Sequence, residues 1–585
     1  MHTAFLLFLS LAIGAATAGP WWQTAVIYQI YPRSFQDSNN DGIGDLRGIT
    51  SRLEYVASLG VDAIWLNPIF PSPNVDFGYD VSDYTNIDPV FGTLSDFDAM
   101  LAEANRRGLR VLLDLVLNHS SDKHPWFIAA SSNRSSPFHD WYVWSDGRQP
   151  AKGSNTTFRS LPDGRASVFG GSAWTWAPRV RQFYYHKFYS AQPDLNWRNP
   201  AVEAALFGAA RFWLGRGVGG FRLDAVGALF QASSESDAAP ETRGVLRRLR
   251  RLVDSFSGDR VLVGETTTPS VASLDAFYGG RAMDELHLAM DFAPFLARSD
   301  APGAVIGFNA SYFRARLADA ETRLDGNTPL FVLDNHDNVR SATRFFTSRV
   351  GTGALSTEQR LCANKAFATL LLAPRGAALV YYGQEIGMRN ADEADIDKNR
   401  GGTKNAEHFR DGERTPMQWR GGAPNAGFSA ANATWLPVNG DFAAGINVKS
   451  EEGDAQSLLN WYKLLIEQLR RTPAFSGGGF AMADTGDSNI LAFVRASSPG
   501  DAALVVINFS GQQRRASVNA SDLRRLAWSA AGGHRIGSGS SEGGSAPLRG
   551  VVRTVLASAA SLANVGLLEQ LSMPPFASWT GHISS

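Results

Sequence analysis

Short runs that are apolar at nearly every position, not at every second one, recur along this chain and alternate with amphipathic stretches. Residues 25–32 (AVIYQIYP), 61–70 (VDAIWLNPIF) and 109–119 (LRVLLDLVLNH) read as strands. Between them, 49–60 and 97–108 carry helical spacing and stop at Gly60 and Gly108. A strand apolar on both faces must be covered on both, which is the condition of a parallel sheet clad in helices. Further runs at 220–226, 260–266, 288–295, 329–336 and 377–387 bring the count to eight. Eight such strands predict an α/β fold closed as a (β/α)8 TIM barrel.

Two intervals break the rhythm. Residues 119–195 are rich in Ser, Trp, Phe, Asn and Pro without helical period, and connections this long within a compact domain are usually functional. They predict a small domain inserted after the third strand, leaving the barrel to 19–118 and 196–474. From 475 to 585 the pattern turns to ILAFVRAS and ALVVINFS with polar turns between, which predicts a C-terminal antiparallel β domain. Within it, 532–545 is Gly/Ser-rich and reads as an exposed loop.

The apolar run 4–16 is too short to span a bilayer, and Ala16-Thr17-Ala18 has the small-x-small form of a leader cleavage site. A secretory leader over 1–18, and hence an extracellular protein, is expected. Asn-x-Ser/Thr triplets at Asn133, Asn155, Asn309, Asn432, Asn508 and Asn519 agree with secretion. No later stretch is long and apolar enough for a membrane helix. The chain has a single Cys, Cys362, so an intrachain disulfide framework is excluded; its helical, apolar surroundings mark it as structural. With 55 Lys+Arg against 56 Asp+Glu, the net charge of -1 argues against a nucleic-acid partner. Nothing in the sequence specifies an oligomeric state.

In a (β/α)8 barrel the chemistry sits at the C-terminal strand ends. Here those ends carry Asp114, Asn118 and His119, then Arg222 and Asp224, then Glu265, then Asn335, His336 and Asp337. Several carboxylates would thus converge on one mouth beside two histidines and an arginine. Near the N-terminus, Asp37, Asn39, Asp41, Ile43 and Asp45 alternate along a Gly-containing loop, a pattern suited to a hard cation such as Ca²⁺ with the Ile43 carbonyl as a further ligand. The same pattern also describes an Asx-rich turn without metal. Two motifs are decoys. Gly215–Gly220 satisfies G-x-G-x-x-G but follows a helix and precedes a strand, and the basic run 247–251 alternates with Leu246, Leu249 and Val253 at helical spacing.

DLVLNH (114–119), GFRLDAV (220–226), GETTT (264–268) and DNHDN (334–338) resemble, in order, four signature regions of the α-amylase family of glycoside hydrolases. QPDLNW (192–197) resembles a fifth, and GVDAIWLNPIFPSP (60–73) the region of the second strand. YQIYPRSFQDSNNDGIGDLRGI (28–49), FGYDVSDY (77–84) and ERTPMQW (413–419) are similar to the α-glucosidase branch, as in secreted arthropod maltases.

The resemblance implies a retaining α-glucosidase acting on small oligosaccharides such as maltose, with sucrose as a further candidate. It assigns Asp224 as nucleophile, Glu265 as acid and base, and Asp337 as the third carboxylate. Arg222, His119 and His336 are expected around the same glucose, with Tyr79 stacking beneath it. Asp80 and Arg414 are expected to close the non-reducing end of the pocket and make the enzyme exo-acting. The family also implies a second calcium site, formed by Asn118, Asp194, the carbonyls of Ala228 and Leu229, and a Glu where this chain has Gln231. The rivals are a non-catalytic relative, disfavoured by the complete carboxylate set, and an endo-acting amylase.

Overall fold

The computed structural model describes residues 19–149, 160–230, 240–266, 271–292, 294–295, 309–324, 326–346, 355–392, 396, 410–498, 501–518, 520–531, 552–557 and 571–584. The leader 1–18, Asn155, Gln231, Asn519 and the Gly/Ser-rich run 532–545 lie outside the described residues.

The chain opens with β1 (Val26–Ile30), β2 (Ala63–Leu66) and β3 (Arg110–Val116). After the third strand comes the insertion, a three-stranded antiparallel sheet of β4 (Trp144–Ser145), β5 (Trp174–Ala177) and β6 (Gln182–Tyr185) in the order β4-β6-β5. Isolated bridges His119–Asp194 and Tyr142–Leu195 tie its two ends together. The chain then returns through β7 (Gly220–Asp224), β8 (Val261–Gly264), β9 (Leu288–Asp291), β10 (Pro329–Val332) and β11 (Ala377–Tyr381). Strands β1–β3 and β7–β11 close into one parallel barrel, so all eight predicted strands are present.

The pleat divides each apolar run between two cores. Ile27, Trp65, Leu112, Val263, Met290, Val332 and Leu379 fill the barrel interior. Their neighbours Tyr28, Ile64, Leu113, Leu262, Ala289, Phe331 and Val380 pack outward under the helices. That division explains why these strands show no apolar-polar alternation. Trp21 and Trp22, just ahead of β1, pack against the inner cluster.

Local signals end the helices where expected. Asp45 caps Leu46–Ser58 by accepting from Gly48 N, and Thr93 with Asp96 forms a capping box on Leu94–Arg106. Gly217, at φ 103°, terminates Pro200–Arg216, and a Cβ on Gly220 would lie 1.9 Å from the Val261 carbonyl oxygen. The G-x-G-x-x-G run is therefore a helix-to-strand turn. The basic run sits on Pro240–Asp254, where Val245, Leu246, Leu249 and Val253 are buried and Arg248 pairs with Glu203. Cys362 is half-buried in Thr357–Leu372.

The C-terminal domain is a five-stranded antiparallel sheet, ordered β12 (Gly479–Ala483), β13 (Ile490–Ser498), β14 (Asp501–Asn508), β18 (Ser578–Ser584), β16 (Val552–Ala557). A smaller pair joins β15 (Arg514–Ala516) to β17 (Leu571–Met573). The domain also holds a helix, Ala520–Ala530, which lays Leu523, Ala527 and Ala530 on the sheet's own core. Arg495 ties this domain to the barrel by donating to the Ala373 carbonyl, and within its own domain it donates to the carbonyls of Phe475, Gly478 and Gly479. One sequon fails structurally. Asn508 is fully buried, and its Nδ2 donates to the Gln512, Met573 and Pro574 carbonyls, so that amide is not open to a glycan.

Candidate active site

Strand register assembles the site. In the β3–β7 pairing Asp114 lies opposite Arg222 and Val116 opposite Asp224, while Glu265, one residue past β8, hydrogen-bonds through its backbone N–H to Leu223 O. Arg222 becomes the hub. Its Nη1 donates to Asp114 Oδ1 at 2.9 Å and to Asp224 Oδ1 at 2.7 Å, and its Nη2 lies 2.9 Å from Glu265 Oε2. The guanidinium sits over the Trp65 ring at 4.9 Å. Ala225 adopts a left-handed φ of 43°, and its N–H donates to Glu265 Oε2 at 2.9 Å. The turn after Asp224 thereby holds Glu265 as well.

Tyr79 and the two histidines form the wall. The Tyr79 hydroxyl donates to Asp114 Oδ2, accepts from Asn67 Nδ2, and meets His336 Nε2 at 2.8 Å. Its ring stacks on His336 at 5.4 Å and 6°. His336 Nδ1 in turn meets Gln29 Nε2. His119 lies against the Tyr79 carbonyl and Gln192 Nε2, each at 3.2 Å.

At the far end the structure corrects the expected pair. Asp80 is fully buried and faces its own loop, accepting from Ser72 Oγ, Val75 N and Asp76 N. Its neighbour Asp76 takes the expected place. Arg410 Nη2 donates to Asp76 Oδ1 at 2.6 Å and Nη1 to Asp337 Oδ1 at 2.8 Å. Gln192 Nε2 reaches Asp76 from the insertion, and Phe169 lies under the Arg410 guanidinium at 5.3 Å. Arg414 does enter the site, but as a support. Its Nη2 donates to Asp337 Oδ1 at 2.9 Å and its Nε to the His336 carbonyl. Asp76 and Arg410 each lie four residues before the residue first expected. The matched motifs begin at Phe77 and Glu413, just past both.

The electrostatics follow from many acids around few guanidiniums. Burial pushes Glu265 up to about 7, against the pull of Arg222 and with the push of Asp224 and Asp337. Burial also raises Asp224 and Asp114, with Arg222 drawing both back. Asp114 is pinned by Arg222 and Tyr79, and Asp224 by the shortest contact to Arg222. The Ala225 N–H bond and the Arg222 ion pair both fall on Oε2, so Glu265 can take a proton on its other oxygen without losing either contact. Burial raises Asp337 too, yet beside His336, Arg410 and Arg414 it ends well below the usual carboxylate range. Because burial drives His336 far down and keeps it neutral, the two guanidiniums carry that effect. Burial pushes His119 down to about 4.

A family model described as the α-amylase catalytic domain matches residues 29–478. The chain belongs to the α-amylase family of glycoside hydrolases. Among curated relatives, a probable α-glucosidase of Rhizobium meliloti is 38% identical, covering 81% of this chain and 87% of its own. Maltase 1 of Drosophila virilis is 37% identical, covering 85% and 80%. Among solved structures, the trehalulose synthase of Pseudomonas mesoacidophila is similar at TM-score 0.81 and 31% identity, covering 97% of this chain and all of that one. The glycosidase is thus of α-glucosidase type.

The two candidate cation sites of this glycosidase differ. In the 37–45 loop, Asp37 accepts from Asn39 N, Asn40 N, Gly42 N and Ser429 Oγ. Asp41 accepts from Asn39 Nδ2 and Ile43 N, and Asp45 from Ser38 and Gly48. These bonds fold the loop as a string of Asx turns, and the same carboxylates keep further lone pairs that a cation could use. At the base of the insertion, by contrast, Asn118 Oδ1 and Asp194 Oδ2 are buried without a hydrogen-bond partner, and burial pushes Asp194 up to about 7. Two orphaned oxygens on bridged segments suit a hard cation. Ala228 and Leu229 lie in the turn just after β7. Among the described residues, no group of three or more His, Cys, Asp or Glu is gathered as a metal cage.

Proposed function

We propose that this glycosidase is an exo-acting, retaining α-glucosidase that frees α-glucose from the non-reducing end of maltose and short malto-oligosaccharides, with sucrose as a further substrate. The observation that carries the reading is Arg410 bridging Asp76 and Asp337; on this reading the bridge closes the pocket one sugar beyond the carboxylate pair. Asp224 attacks the anomeric carbon as Glu265 protonates the leaving oxygen. One guanidinium touching both carboxylates keeps them close, which suits retention, at about 5–5.5 Å, better than inversion, at about 6.5–9.5 Å. Once Asp224 is esterified, its push on Glu265 disappears, and Glu265 can deprotonate the attacking water. Asp337, held ionised by Arg410 and Arg414, accepts from sugar hydroxyls.

The test is purified protein with p-nitrophenyl α-glucoside, maltose, sucrose and starch, alongside Asp224→Asn. Glucose release of retained configuration, lost in the variant, is expected. No release by the wild type, or mainly long products from starch, refutes the reading.

We also propose a secreted enzyme, on the leader-like N-terminus and the exposed sequons Asn133, Asn309 and Asn432, and structural Ca²⁺. Asn118 and Asp194 would hold the ion through the orphaned oxygens. The 37–45 loop, with Asp37, Asn39, Asp41, Ile43 and Asp45, is the second candidate. Secretion from a eukaryotic host with Gly19 as the new N-terminus is the check on the first claim.

A further inference from the structure

The inserted domain carries a second concavity that the active site does not use. It is a cleft of about 1130 Å³ lined by Asn133, Arg134, Asp146, Trp176, Arg181 and Phe183, among others. Two aromatic side chains line it. Trp176 is 41% exposed on β5, an edge strand of the insertion's sheet, with Phe183 set edge-on against it at 4.9 Å. Exposed aromatic surface on a sheet edge is a liability unless something covers it. Ile128, Leu161 and Val168 are also exposed in this domain.

The wall of the same cleft holds a sequon. Asn133 follows the helix Pro125–Ser132 as its exposed C-cap. Its Oδ1 accepts from Ser135 N at 2.9 Å, which leaves Nδ2, the atom that glycosylation modifies, outside that bond. Arg134 turns the other way, donating to the Val180 and Arg181 carbonyls and to Asp146. It braces the hairpin that bears Arg179 and Arg181. A sugar has an apolar face to stack on an indole and hydroxyls to meet guanidinium donors.

We propose that Asn133 carries an N-linked glycan that folds back into this cleft and stacks on Trp176. The proposal rests on the secreted reading above. In the transfer, the Asn133 Nδ2–C1 bond forms as the bond from C1 to a lipid-linked pyrophosphate breaks; the amide loses one proton and the lipid pyrophosphate leaves. The tethered sugar then covers the apolar edge of β5 at high local concentration.

The full-length chain is expressed in a secreting insect-cell host, and glycopeptide mapping reads occupancy at Asn133. Arg179 and Arg181 supply trypsin sites inside the cleft. Cleavage there is expected to be about tenfold slower in the glycosylated wild type than in Ser135→Ala or in enzymatically deglycosylated protein. Trp176→Ala should restore fast cleavage with occupancy unchanged. An unoccupied Asn133, or equal cleavage rates in all samples, overturns the proposal. Hydrolysis of p-nitrophenyl α-glucoside is followed on the same samples and is expected to be unchanged, which separates this outcome from failure of the catalytic reading.

Discussion

Replacing Arg410 by Ala tests the corrected pocket end most directly. The side chain makes two charge-assisted bonds, at 2.6 Å to Asp76 and 2.8 Å to Asp337, from a position whose partners are 7% and 28% exposed. Bonds of this kind contribute about 1.5–3 kcal/mol each, and removal leaves Asp76 with only the Gln192 amide facing it from the insertion. A net loss of about 3–4 kcal/mol in transition-state binding corresponds to a fall of roughly two to three orders of magnitude in kcat/KM. Asp80→Asn is the contrasting variant. It keeps one oxygen for Ser72 Oγ and Asp76 N and gives up the Val75 contact, at a stability cost of about 1–2 kcal/mol. Its kcat/KM on maltose should stay within about threefold of wild type, with a lowered Tm. The assay is kcat/KM on maltose and p-nitrophenyl α-glucoside, with far-UV circular dichroism to confirm folding. Products from maltotetraose give a second readout, because an opened pocket should release maltose beside glucose. Near-normal kinetics for Arg410→Ala together with a collapse in Asp80→Asn would refute the assignment and restore Asp80 as the sugar-facing group. An Asp76→Asn/Arg410→Ala cycle showing no coupling would refute the bridge itself.

The acid role of Glu265 predicts a pH profile. With its carboxyl pushed up to about 7, activity should fall as pH rises through that value, and Glu265→Gln should abolish this alkaline limb on substrates with activated leaving groups. The same raised value stabilises the fold below the ordinary Glu range and loses that contribution as pH rises through about 7, whereas Asp337, depressed by its guanidiniums, contributes above the ordinary Asp range and loses it in acid. Thermal melts between about pH 2 and pH 9 on Glu265→Gln and Asp337→Asn separate the two, the first losing its pH dependence toward neutral pH and the second in acid. Arg495→Met should destabilise the protein by about 3 kcal/mol, since four carbonyls lose their donor. Its Tm should drop while kcat of the folded fraction is retained. For calcium, chelation should lower the Tm of the wild type and leave that of Asp194→Asn unmoved; equal sensitivity in both places the ion elsewhere or excludes it.

Sequence alone determined the barrel, because runs apolar on both faces have no other economical burial than a helix-clad parallel sheet. It also placed Asp224, Glu265 and Asp337 at strand ends, where barrel geometry makes them converge. The insertion was legible as a break in period, and the helix Ala520–Ala530 was not, since its apolar positions fall amid strands of similar composition. What only the tertiary structure decided is which side chains face inward from loops. Asp76 and Asp80 share one segment, and their spacing does not reveal that backbone N–H groups claim Asp80 while Arg410, over 300 residues away in sequence, claims Asp76. Likewise a sequon is three letters, and only the packing of Asn508 beneath the Pro574 turn removes it from the surface. The sequence likewise does not show that the acids of the 37–45 loop accept from their own N–H groups, whereas Asn118 Oδ1 and Asp194 Oδ2 are among the buried oxygens left without a hydrogen-bond partner. Periodicity reports which faces are buried; which partner a polar group finds depends on contacts distant in sequence.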